Sequence, residues 1–173
     1  MPKPLHYNAA DYNIHLYSTI CPMNQHQDLN PEQIPLYQKG REILELTAKI
    51  ADLIPEDAPL LDSIKDLMLE DAALLTVKVA GAEAGDLYDI RMECAAIIRK
   101  AARDLQTHCA SLAMFGYEET HYLQLIRDAL EEYRLLYLEW VSGFDQSNYV
   151  VDRWGLFNPP GVGPEDPDPD KEL

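Results

Sequence analysis

Two acidic pairs give this chain its most explicit route to catalysis. Glu42 and Glu45 form a Glu-x-x-Glu element, and Glu83 with Asp86 forms a Glu-x-x-Asp element. Hard divalent cations prefer several carboxylate oxygens, so two such pairs on neighbouring helices would be a donor set for Mg²⁺. That chemistry belongs to all-α, Mg²⁺-dependent nucleotide pyrophosphohydrolases, which we carry as the alternative function. Against it, Gly85 places the second pair at a helix break, and in a chain with 30 Asp and Glu such pairs arise by accident.

Other reactive residues fall short of a constellation. Glu118 and His121 have the Glu-x-x-His spacing of di-metal bundles, but that chemistry needs a second copy and further glutamates aimed into the bundle centre. His108 and Cys109 are adjacent, and adjacent helical residues point about 100° apart, so they cannot act as base and nucleophile for each other. His108 is expected to be buried against a backbone or tyrosine oxygen. His6, His15, Cys21 and His26 match no common zinc spacing. Arg91, Arg99, Lys100 and Arg103 form the densest cationic group and are expected to make a salt-bridged outer side, with a weak anion or nucleic-acid contact as the sharper reading. No catalytic residue, metal or cofactor is assigned.

These residues must be positioned by helices. The central one is read as Asp86 to Phe115, with Leu87, Ile90, Cys94, Ile97, Ala101, Leu105, His108, Leu112 and Phe115 on one side, Asp86 as N-cap and Gly116 as stop. Before it, a helix from Pro35 should end ahead of Pro55, burying Leu36, Gly40, Ile43, Thr47, Ile50 and Ile54. A second, from Pro59 to about Ala80–Glu83, turns Leu61, Ile64, Met68, Ala72, Leu75, Val79 and Ala82 inward. Leu46, Leu53, Leu60, Leu67 and Leu74 widen these seams into a heptad-spaced flanking row. After Gly116, Glu118 and Glu119 suit a first helical turn, where the dipole favours negative charge. Leu123, Ile126, Leu130, Tyr133, Tyr137, Trp140 and Phe144 then keep the three/four rhythm. The fold class is all-α: an up-down-up-down four-helix bundle with an extended N-terminal arm and an irregular apolar C-terminal extension.

The expected division is an arm over 1–34, with a short strand near Ile14–Ile20, a bundle over 35–144, an ordered extension over 145–162 and a disordered acidic tail over 163–173. The 173 residues suffice for one sizeable core, and the net charge of -16 repels phosphate backbones and anionic lipid. Direct nucleic-acid binding is therefore disfavoured. Three cysteines without CxxC spacing point to reduced thiols, and the chain has neither a signal-like start nor an apolar run of the roughly 18 residues a membrane span needs. A cytoplasmic location is expected, with no membrane association.

Three segments carry a family resemblance: PLYQKGREILELTAKIADLIPED, LMLEDAALLTVKVAGAEAGDLYDIRMECAAIIRKAARDLQTH and LAMFGYEETHYLQLIRDALEEYRLLYLEWV. Between Pro35 and Phe144 the pattern resembles the four-helix proteins encoded in intervening sequences of bacterial 23S ribosomal RNA. It is similar as well to the accessory variability-determinant proteins of diversity-generating retroelements. The resemblance implies a four-helix protomer, assembly as a homo-oligomer of pentameric ring type, no catalysis, and a nucleic acid or nucleic-acid enzyme as partner. This chain departs from the family in reading Ala80-Gly81-Ala82-Glu83-Ala84, without the family's Asn, and in being acidic where RNA-binding members are basic. RNA binding is not carried over.

The leading expectation is thus a non-enzymatic oligomeric scaffold or adaptor, possessing a protein partner and self-association. Its interface would use Leu46, Leu53, Leu60, Leu67 and Leu74 with Tyr149, Trp154, Leu156 and Phe157, because the chain holds more apolar helix surface than four seams need.

Overall fold

Helices α1 (Pro35–Ala51), α2 (Pro59–Gly85), α3 (Tyr88–Met114) and α4 (Thr120–Ser142) build a computed structural model that describes residues 30–55 and 58–169. Among the described residues there is no strand. α2 packs along α1 and α3, and α4 closes the bundle against α1 and α3. The arm expected over 1–34, with its strand near Ile14–Ile20, lies outside the described residues except for a 3-10 turn at Pro31–Gln33, which leads into α1.

Proline sets both early helix starts. Pro35 and Pro59 occupy the first turns of α1 and α2, where the missing N–H has no helical partner to lose. Every expected seam position of α1 and α2 is buried, from Leu36 to Ile54 and from Leu61 to Ala82. Gly40 lets these two helices approach closely: an added Cβ would stand 3.0 Å from both the Leu75 carbonyl oxygen and Thr76 Oγ1. From α4, Tyr133 donates its hydroxyl to that same Leu75 carbonyl at 2.7 Å. Burial pushes the Tyr133 hydroxyl well above its usual pKa, so it remains a donor.

Two boundaries differ from expectation. Asp86 is not the N-cap of α3; it caps the end of α2 in the left-handed conformation, φ 48°, its N–H bonded to the Ala82 carbonyl. Asp tolerates that region better than most non-glycine residues. Glu118 and Glu119 precede α4 rather than filling its first turn. Gly116 behaves as expected: with φ at 96° it lets the Tyr117 N–H return to the Leu112 carbonyl at 3.0 Å, the six-to-one bond of a Schellman stop. Tyr117 and Leu112 are both buried beside it.

The buried side of α3 is turned by about one residue from the expected one. Cys94, Ala101, Leu105 and Leu112 are buried as read, but Ile98 and Cys109 are buried where Ile97 and His108 were expected, and Phe115 is exposed. α3 faces α2 on one flank and α4 on the other, so its apolar stripe is centred between two contacts.

The extension folds back onto the start of α3. Tyr88 N–H bonds the Asn148 carbonyl at 2.7 Å, Asn148 Nδ2 donates to the Asp86 carbonyl, and Val150 N–H donates to Asp89 at 3.1 Å. Tyr149 packs against Tyr88, Ala95 and Phe144. Residues 163–169, expected to lack structure, are laid against this extension. Arg153 donates to the Pro164 and Asp166 carbonyls at 2.8 and 2.9 Å, and Asp168 accepts from Val151 N–H. A polar tie of this kind is invisible to a count of apolar residues.

Candidate functional site

The acidic pairs of the hydrolase reading are held in two different places. Glu83 and Asp86 sit where α2 passes into α3; Glu83 accepts from Arg91 Nη2 at 3.2 Å, and Asp86 forms an ion pair with it at 2.9 Å. The second oxygen of Glu83 accepts from Trp140 Nε1 of α4 at 2.8 Å. Arg91 lies over the Phe144 ring, its Cζ 5.4 Å from the centroid, and Trp140 meets Phe144 edge-on at 4.7 Å. Glu83 and Arg91 are largely buried and Asp86 is partly exposed, so one guanidinium between two carboxylates fastens three helices.

Glu42 and Glu45 lie on the outer surface of α1. Glu42 accepts from Lys39 at 2.6 Å, and Glu45 faces Arg41 at 3.7 Å. Because Gly40 is level with Leu75 and Thr76, α1 runs away from Glu83 along α2. All four carboxylates are thus engaged with cations, at two separate places. Among the described residues no group of three or more His, Cys, Asp or Glu side chains is arranged to hold a metal ion.

His108 finds a carboxylate rather than the expected backbone or tyrosine oxygen: its Nδ1 stands 3.0 Å from Asp71 Oδ2, across the α2–α3 contact. Burial raises the Asp71 carboxyl above its usual range, and the neighbouring His108 only partly offsets this. Next along the helix, Cys109 is fully buried and its thiol is pushed up to about 11, chiefly by desolvation. A thiol held protonated inside a core is not a nucleophile. Cys94 is likewise buried and raised. His6, His15, Cys21 and His26 lie outside the described residues. Glu118 and His121 are exposed, His121 pairing with Glu119 at 3.4 Å.

The cationic group of α3 does not form one patch. Arg91 is drawn into the Glu83 network, Lys100 pairs with Asp104 one turn on, and Arg99 and Arg103 are exposed. Apolar exposure is the more conspicuous surface property. Of the expected flanking row, Leu46 and Leu74 are half-buried against the protomer's own core, whereas Leu53, Leu60 and Leu67 remain 51%, 53% and 45% exposed. Met114 and Phe115, at the end of α3, are exposed as well. In the extension, Tyr149 and Phe157 are partly covered, while Trp154 and Leu156 stand out.

No family model, curated protein or solved structure matches this chain. The surface itself therefore carries the functional reading. Sequence reasoning missed Asp71, Asn148, Asp152 and Arg153. A polar residue inside an apolar seam, Asp71 beside Ala72, was the one available signal.

Proposed function

We propose that this chain is a non-enzymatic, self-associating helical scaffold or adaptor, as its resemblance to the intervening-sequence and variability-determinant bundles implies. The observation that carries this is the exposure of Leu53, Leu60 and Leu67 beside a protomer core that is already complete. A row of leucines left in water is a cost that burial against a second copy removes, at about 25 cal/mol for each Å² covered. The pairing of Glu42, Glu45, Glu83 and Asp86 with Lys39, Arg41 and Arg91 supports the same reading over Mg²⁺ hydrolysis. A pentameric ring and a nucleic-acid-processing protein partner belong to the proposal through the resemblance. A cytoplasmic location fits the unpaired thiols of Cys94 and Cys109. No helix among the described residues is long and apolar enough to cross a membrane.

Screening nucleoside triphosphates with and without Mg²⁺ tests the non-enzymatic half of the proposal. No turnover is expected; Mg²⁺-dependent hydrolysis that disappears in Glu42→Gln would replace the scaffold with the enzyme.

A further inference from the structure

Between the first turns of α3 and the C-terminal extension lies a groove of about 340 Å³, lined by Asp89, Glu93, Asp152, Trp154, Leu156 and Phe157. Its two most prominent apolar groups are displayed to an unusual degree: Trp154 is 89% exposed and Leu156 is 74% exposed. They do not sit on a loose strand. The Asp152 carboxylate accepts the N–H groups of Trp154, Leu156 and Phe157 at 2.8, 2.8 and 2.9 Å, and Asn158 bonds both the N–H and the carbonyl of Asp152. Gly155, at φ 72°, makes the reversal between the two displayed residues, and the Pro164 ring closes against it. Ordering costs that a flexible loop would meet on binding are already met here.

Charge then selects the occupant. Every ionisable group lining the groove is an acid, and the backbone donors around Asp152 hold its carboxyl below the usual range, so it stays charged. The whole chain carries -16, which repels nucleic acid and anionic membrane alike. Asp152 directs its oxygens to its own loop, and Asp89 gives one oxygen to Val150, leaving the rest of Asp89 and Glu93 to receive a cation. A guanidinium or ammonium on a methylene stem suits both surfaces, its head at the carboxylates and its stem on the indole. Leu156 extends the apolar surface past the reach of one side chain, so a neighbouring apolar residue has a place too.

We propose that this groove docks an Arg- or Lys-bearing, partly apolar segment of a partner protein, with Trp154 as the anchor. This names the partner chemistry for the adaptor reading and rests on it, while using a surface separate from the Leu53–Leu67 row. The test uses a fluorescein-labelled peptide of alternating leucine and arginine, with a twin in which citrulline replaces each arginine. Anisotropy should show saturable binding of the first, at least about tenfold weaker binding of the twin, and losses of at least about tenfold in Trp154→Ala and in Glu93→Arg. Both altered side chains are exposed, so folding is retained. Absence of saturable binding overturns the proposal. So does an equal loss in Glu131→Arg on α4, which would mean attraction by bulk charge alone. A Trp154→Ala protein whose assembly mass falls assigns the groove to a second copy and also overturns it. Failure of self-association leaves the peptide measurement intact, so the two readings fail separately.

Discussion

Where α2 passes into α3, Arg91, Glu83, Asp86 and Trp140 tie three helices together, and Tyr149 and Asn148 bring the extension across the junction. At the opposite end, where α1 turns into α2 and α3 into α4, Leu53, Leu60, Met114 and Phe115 are exposed, from 47% at Phe115 to 72% at Met114. The same four helices supply both ends. One ties three helices together through polar and aromatic contacts; the other leaves the apolar groups at its helix ends without such a tie. On the proposed reading, stability and association are carried by separate ends, so mutations should separate them.

The largest effect is expected at the closed end. Trp140→Ala removes a large partly buried ring and the donor to Glu83, and should cost about 3 kcal/mol in chemical denaturation. A loss below about 0.5 kcal/mol would mean that the fastening is ornamental. Arg91→Ala should follow at about 2 kcal/mol, because Glu83 is left largely buried without its cation.

His108→Ala sharpens the comparison from the middle of the bundle. It should cost about 1 to 2 kcal/mol at neutral pH, since the buried Asp71 loses its partner. A carboxyl raised in the folded state favours folding in its protonated form, so the cost of an ionised Asp71 grows as pH rises through its folded-state pKa. The penalty in His108→Ala should therefore shrink as pH falls toward the ordinary value of 3.8, where Asp71 is protonated. Asp71→Asn with His108→Ala should recover much of the loss. A penalty independent of pH would show that only packing was removed.

The smallest effect on the protomer is expected at the open end. Leu60→Gln with Leu67→Gln should change subunit stability by less than about 0.5 kcal/mol, measured under conditions where the chain is a monomer.

The helices themselves were legible because their punctuation is local. Pro35, Pro59 and Gly116 act through their own φ angles and missing groups, and they mark helix boundaries wherever the rest of the chain goes. The seams of α1 and α2 were legible for a related reason: Gly40 is small where α2 comes close and Ala72 is fully buried, so periodicity and packing agree. The register of α3 was harder, since its alanines leave the centre of the stripe undecided until α2 and α4 both dock. Asp86 misled because Asp suits an N-cap and a left-handed turn alike, and Gly85 beside it hid the choice. The Asp71–His108 pair joins residues far apart in sequence, and nothing local signals it. The same holds for Glu83 and Trp140. Exposure of Trp154 could not be read either: an aromatic in an irregular segment looks like core until the Asp152 turn directs it outward.

The central claim is that the open apolar end recruits copies of this chain, and sedimentation equilibrium at micromolar concentration tests it most directly. The account predicts a wild-type mass that is a multiple of 19.7 kDa and a Leu60→Gln/Leu67→Gln protein that sediments at 19.7 kDa itself. A wild-type protein that stays at the single-chain mass, or a double variant that assembles as the wild type does, would contradict it.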